Sequence, residues 1–104
     1  MKTCVASRLV FEAKGPPAFA RRFAPVDETD TGWCLMSGHP DEDSPEFGDD
    51  PENWRRNTLG EMTELFPHLA AIWELPVEIE VEWDAAAGEY RLAWSRASSA
   101  SART

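Results

Sequence analysis

The sequence predicts an α+β fold, with a single antiparallel sheet and short helices packed on one of its faces. Apolar and acidic residues alternate over 77–84, which is the period of a strand with one buried and one solvated face. A turn over 85–88 precedes a second alternating stretch over 90–94, so these segments predict a hairpin. Thr58 and Glu61 have the spacing of a capping box, which indicates a helix before the hairpin.

Strands are also predicted in the N-terminal part of the chain. Residues 5–13 are rich in β-branched and apolar side chains and are followed by a Gly-Pro-Pro sequence. A second strand is expected over 18–23, and a short apolar strand over 33–37 follows a turn at 29–32. Because that third strand carries no charged residue, we expect it near the centre of the sheet.

The middle of the chain is predicted to be a loop followed by short helices. Glycine and proline interrupt residues 38–51 repeatedly, which argues against a long regular element there. An Asp-Pro pair then begins a short helix over 50–57. Further helices are expected over 59–66 and, beginning at a proline, over 67–75.

The length of 104 residues predicts one domain, which we place at residues 1–94. Serine, alanine and arginine dominate residues 95–104, so we expect a disordered C-terminal tail. The N-terminus becomes charged too early for a signal peptide, and no run of about 18 apolar residues could cross a membrane. We therefore expect a cytoplasmic protein in which Cys4 and Cys34 form no disulfide.

The net charge of −9 is concentrated in one segment of the chain. Residues 26–53 hold ten acidic residues and no lysine or arginine, whereas residues 1–25 hold five basic residues and one acidic residue. Such a segment produces a local electrostatic field. Direct nucleic-acid binding is excluded because it needs clustered cationic side chains. The expected partner is therefore a basic protein surface or a cation.

The predicted partner-binding surface combines the acidic stretch with the aromatic residues within and after it. Carboxylates would steer a basic partner toward the surface, and an aromatic side chain would supply desolvated contact area. We assign this role to Asp41, Glu42, Asp43, Glu46, Phe47, Asp49, Asp50, Glu52 and Trp54.

Two alternatives remain open at this point. The carboxylates over 41–52 could hold a divalent cation, in a binding protein or a small enzyme, although Glu46 stands where an EF-hand loop needs glycine. The stretch could also be a solvated loop of an uncharacterised housekeeping interaction module. His39 and His68 have no nucleophile with motif support beside them, so no catalytic residue is assigned. No metal and no cofactor is predicted, because the sequence has neither paired metal ligands nor a phosphate-binding motif.

Several short motifs follow one another in a recognisable order. They are Asp30-Thr31-Gly32-Trp33, then Ser37-Gly38, an acidic stretch, Asp50-Pro51-Glu52-Asn53 and a proline-bearing helix. In this order and spacing they resemble the Imm33-like family, which is also known as the domain of unknown function DUF2185. The likeness extends over residues 4–81.

The resemblance implies a small cytoplasmic α+β protein that serves as an immunity protein against bacterial polymorphic toxins, and it supplies no catalytic residue. Asp30, Gly32 and Trp33 match its most recognisable motif, and we expect them to bond the backbone, permit the turn and anchor the core, respectively. Charge and resemblance together predict a non-enzymatic acidic binding protein that neutralises a basic toxin domain. Its partner is a protein, with no nucleic acid and no membrane involved.

Overall fold

A computed structural model describes residues 1–13 and 15–96 and places six β-strands of this part of the chain in one sheet. The strands are β1 (Thr3–Ser7), β2 (Phe19–Arg22), β3 (Asp30–Met36), β4 (Trp54–Thr58), β5 (Ile79–Asp84) and β6 (Glu89–Ser95). Beyond Arg96, the tail predicted at 95–104 lies outside the described residues.

Short helical elements connect the strands. The α-helices are α1 (Arg8–Glu12), α2 (Pro45–Asp49) and α3 (Leu59–Leu65). Short 3₁₀ helices lie at Pro40–Asp43, Pro51–Asn53 and Pro67–Ala71. None of the helices in the described ranges has both the length and the hydropathy needed to cross a membrane.

The strand order across the sheet is β4-β1-β3-β2-β5-β6. β1 and β3 are parallel, and the other neighbouring pairs are antiparallel. The α+β class is therefore confirmed, whereas the prediction of an antiparallel sheet is wrong for one pair. The path of the chain gives the reason: β2 runs back after α1, β3 reverses again, and β3 then lies beside β1 in the same direction.

The hydrophobic core lies on one face of the sheet. Trp33 is 1% exposed; its indole Nε1 donates a hydrogen bond to the Trp73 carbonyl (3.3 Å), and the two rings meet edge to face. The other members of the buried cluster are Cys4, Ala6, Val10, Ala20, Leu35, Met62, Leu69, Ile72, Ile79 and Val81. Because Val10, Met62 and Leu69 come from helical elements, those elements cover this face.

The opposite face of the sheet, which we call the open face, contributes no residue to this cluster. Its apolar side chains are half-buried or exposed. A chain of this length can bury only one modest core, and it has too few residues to form a second layer of helices over the open face. The strand register places on the open face Val5, Phe19, Arg21, Cys34, Met36, Glu80, Glu82 and Trp94.

Two segments differ from their predicted structure. The strand predicted over 5–13 ends at Ser7, because the Ser7 hydroxyl accepts a hydrogen bond from the Leu9 amide (3.2 Å) and so caps α1. The helix predicted over 50–57 is limited to the 3₁₀ helix at Pro51–Asn53. The residues after it form β4 instead, since they pair with the edge of β1 that would otherwise be free.

A bulge in β6 decides which face its aromatic side chains occupy. Ala93 is an additional residue between two register pairs, so Trp94 lies opposite Glu80 on the open face. Tyr90 stays on the core side, where its hydroxyl donates a hydrogen bond to the Pro17 carbonyl (2.7 Å). The alternating pattern predicted the strand correctly, but it does not give the face of Trp94.

Residues 30–33 form a tight corner at the start of β3. The Asp30 carboxylate accepts hydrogen bonds from the backbone amides of Val26 and Gly32, each at 2.9 Å. Gly32 has φ +86, and a Cβ at this position would lie 1.8 Å from the Phe23 carbonyl oxygen. The corner therefore requires glycine for its backbone conformation and for its lack of a side chain. This corner places the Trp33 side chain in the core.

Replacing Gly32 by alanine is expected to destabilise the fold more than the same change at Gly88. A left-handed φ costs alanine about 1–2 kcal/mol, and the clash with Phe23 adds about 1–3 kcal/mol. Gly88→Ala is the matched control, because Gly88 has φ +68 and a Cβ placed there would meet no atom within 4 Å. Urea unfolding measures both; equal losses in the free energy of unfolding would contradict the clash.

Candidate functional site

The acidic segment (residues 41–52) connects β3 to β4 at one end of the sheet. β4 begins opposite Ser7, the last residue of β1. Because β1 and β3 are parallel, the C-terminal ends of both strands lie at the same end of the sheet. The segment therefore lies beside α1, which follows β1 at this end.

Short helices make up most of this segment, whereas the sequence predicted a loop over 38–51 and a helix only from residue 50. Each helix has proline at its first position, and the residue before the proline caps it with its side chain. The Asp41 amide donates to His39 Nδ1 (3.1 Å), and the Phe47 amide donates to Ser44 Oγ (3.2 Å). The Glu52 amide donates to the Asp50 carboxylate (2.9 Å). The segment is thus a series of locally stabilised turns.

Glu42 anchors the beginning of the acidic segment. Its carboxylate accepts hydrogen bonds from the Ser37 amide (2.9 Å), the Ser37 hydroxyl (3.0 Å) and the Gly38 amide (2.8 Å). These three bonds fix the carboxylate and leave it half-buried. Among the predicted contact residues, Glu42 therefore also has a structural role.

Phe47 anchors the middle of the segment and is only 7% exposed. Its ring meets the Trp54 ring edge to face, with 5.8 Å between centroids, and the Arg8 guanidinium lies 5.5 Å from the Phe47 centroid. The Asn53 side-chain amide donates to the Phe47 carbonyl (3.0 Å), and the Trp54 indole donates to the Gly48 carbonyl (3.1 Å). Phe47 therefore offers a partner little surface, whereas Trp54 is half-buried.

Six carboxylates of the segment are exposed. Of these six, only Asp41 has a basic side chain of the described residues within 4.0 Å: its Oδ2 lies 3.6 Å from His39 Nδ1. The other five form no ion pair in that part of the chain, so their charges add to a field of one sign. The exposed acids are Asp41, Asp43, Glu46, Asp49, Asp50 and Glu52.

The residues considered for metal binding or catalysis are dispersed. In ranges 1–13 and 15–96, no three histidine, cysteine, aspartate or glutamate side chains group as metal ligands. His68, in the 3₁₀ helix Pro67–Ala71, packs its ring against Trp83 with 4.7 Å between centroids. The divalent-cation alternative therefore gains no support from the geometry.

The two cysteine thiols lie on opposite faces of the sheet, because Cys34 is the register partner of Val5 rather than of Cys4. Burial raises the pKa of the Cys4 thiol to about 12 and that of the Cys34 thiol to about 11. The charge of Glu42 adds to the shift at Cys34. Both thiols are therefore protonated at neutral pH, a state in which cysteine is a poor nucleophile.

A groove of about 340 Å³ lies where the acidic segment meets the open face. Phe19 and Met36 of the sheet line it, together with Asp43 and Glu80. The sequence predicted Glu80 as one of the solvated residues of β5, but did not join it to this site. No signal in the sequence alone would have done so, because the contact depends on β2 inserting between β3 and β5.

Fold and site together define a small single-sheet α+β protein with an ordered, strongly acidic surface at one end of the sheet. A sequence profile described as the immunity protein Imm33 domain matches residues 4–92. The chain belongs to the Imm33 immunity protein family, as the order of its motifs indicated. Immunity protein families are generally non-enzymatic, and membership points to a protein partner. No curated protein and no solved structure matched the chain.

Phe47→Ala is expected to lower the free energy of unfolding by about 3–5 kcal/mol, because it removes a buried aromatic side chain. The neighbouring Glu46→Gln change should stay within about 0.5 kcal/mol, since Glu46 is exposed. Urea denaturation of both variants provides the comparison. A loss below about 1 kcal/mol for Phe47→Ala would mean that Phe47 does not anchor the segment.

The Cys34 thiol should react slowly with iodoacetamide in the folded protein. At pH 8 its raised pKa leaves about a hundredfold less thiolate than an unfolded cysteine has. Since deprotonation follows pH, the rate should rise about tenfold per pH unit between pH 8 and 10. Mass spectrometry separates labelling of Cys34 from that of Cys4, and protein unfolded in urea is the control. Equal rates in folded and unfolded protein would contradict the shift.

Proposed function

We propose that this chain is an immunity protein that neutralises a basic toxin domain by binding it through the acidic segment, without catalysing a reaction. The observation that carries the proposal is the set of five exposed carboxylates with no ion-pair partner among the described residues. Family membership supports a protein partner. We place the encounter in the bacterial cytoplasm, in line with the role that the family resemblance implies.

The charge of the acidic segment would act mainly on the rate of association. Unpaired carboxylates on one surface attract a basic partner over about 8–10 Å at physiological ionic strength. Electrostatic steering of this kind raises association rate constants above the range of uncharged pairs. Once the complex forms, close contact with exposed and half-buried groups such as Trp54 would slow its dissociation.

Order within the segment favours tight binding. Glu42 and Phe47 fix its path before a partner arrives. A segment that is already ordered loses less conformational entropy on binding than a flexible acidic loop would. In this proposal, Phe47 supports the surface without meeting the partner, whereas the exposed acids and Trp54 meet it.

Stopped-flow association with a basic toxin domain encoded beside this chain would test the acidic surface. The variant Asp43→Asn/Glu46→Gln/Asp49→Asn should associate about tenfold more slowly at low salt, and the difference should shrink as salt rises. The control Glu28→Gln/Glu64→Gln/Glu74→Gln removes the same charge from three exposed acids outside the segment. It should change the rate much less.

Equal effects of the two triple variants would show that total charge matters and the acidic segment does not. A separate assay tests neutralisation itself: co-expression of this chain should restore growth of cells that produce the toxin domain. Failure of the unmodified chain to restore growth would contradict the immunity role for that pair.

A further inference from the structure

We propose that the groove between the acidic segment and the open face binds one arginine side chain of the partner. This inference rests on the proposed function, and it adds a second part of the sheet to the contact surface. The groove has a volume of about 340 Å³, an apolar floor and an acidic rim. An arginine combines a long apolar stem with a planar cation, which matches both features.

The floor of the groove is formed by two neighbouring strands. Phe19 of β2 and Met36 of β3 are direct register partners on the open face. Both side chains are half-buried, so apolar surface remains accessible there. The phenyl ring of Phe19 provides a flat surface on which a guanidinium group can stack, as arginine does more readily than lysine.

The rim carries three carboxylates from separate parts of the chain. Glu42 is held by Ser37 and Gly38, as described above, and Asp43 beside it is exposed. Glu80 reaches the groove from β5. Since two or more carboxylates can share the five donors of one guanidinium, this arrangement favours a forked cation over a point charge.

Glu80 has no ion-pair partner within the described residues, even though an arginine stands directly opposite it. The register pairs Glu80 with Arg21. Arg21 instead stacks between two aromatic rings, with its guanidinium carbon 5.1 Å from the Phe23 centroid and 5.0 Å from the Trp94 centroid. The bulge that brings Trp94 to the open face thus draws Arg21 away and leaves the Glu80 carboxylate available to a partner.

The wall of the groove depends on close backbone packing at Gly38. This residue has φ +87, and a Cβ there would lie 3.0 Å from Ala18 Cβ and 3.3 Å from Phe19 Cε2. The same backbone also donates to Glu42. The floor and the rim are therefore held together by one short connection. The exposed His39 also lines the groove.

Nuclear magnetic resonance titration of the full ¹⁵N-labelled chain with three short acetylated and amidated peptides would test the groove. The peptides have the sequence Gly-Ser-X-Ser-Gly, where X is arginine, citrulline or lysine. The arginine peptide should shift the amide signals of Phe19, Met36, Gly38 and Glu80 in a saturable way. The neutral citrulline peptide should bind at least tenfold more weakly, and the lysine peptide should bind more weakly than the arginine peptide.

A matched pair of variants on β5 locates the site. Glu80→Gln should weaken binding of the arginine peptide severalfold, whereas Glu82→Gln removes the same charge two residues away and should leave it unchanged. Glu82 is exposed on the same face but does not line the groove. Amide spectra of both variants establish that the fold is intact.

The outcomes separate this inference from the proposed function. The groove proposal would be overturned by any one of three results. These are shifts confined to residues 45–52, equal binding of the arginine and citrulline peptides, and equal effects of the two variants. Equal binding of the lysine peptide would overturn the choice of arginine. If the peptide occupies the groove but the chain fails to neutralise a basic toxin domain, the groove stands and the proposed function falls. If the chain neutralises the toxin domain and Glu80→Gln does not change this, the proposed function stands and the groove falls as a part of the partner contact.

Discussion

The burial of a single face of the sheet is the constraint on which the rest of the structure depends. On that side, helical elements pack over Trp33 and the apolar residues around it. The open face and the acidic segment must therefore be stabilised by their own local contacts. On the open face, Arg21 stacks between aromatic rings. In the segment, Glu42 and Phe47 offset the mutual repulsion of the carboxylates through hydrogen bonds and ring packing.

The parts of the fold that depend on neighbouring residues were predictable. Alternation identified β5, and the capping box at Thr58 and Glu61 is present with both of its hydrogen bonds, at 2.9 and 3.1 Å. The parts that depend on distant pairing were not. β4 is a strand because β1 offers it an edge, and β1 is parallel to β3 because the chain reverses twice between them. Neither fact leaves a periodic pattern in the sequence.

The candidate site divides in the same way. Counting charges located the acidic segment, since charge density is a property of the sequence itself. It could not distinguish Glu42, whose carboxylate is bound by backbone amides, from Asp43, which is exposed. It also treated Phe47 as a contact residue, because an aromatic beside acids has the same composition whether it points outward or packs on Trp54. Placing Glu80 near Asp43 required the strand order.

The proline-led helices of the acidic segment have a consequence for how such a surface changes over evolutionary time. Each is capped by the residue just before its proline, so the backbone path is specified within a few residues. Among the residues described, Asp43, Glu46, Asp49 and Glu52 are exposed acids with neither an ion pair nor a capping hydrogen bond that this path requires, whereas Asp50 is itself one of the caps. Selection can therefore exchange these four side chains one at a time, while the backbone path of the segment, the sheet and its core remain as they are.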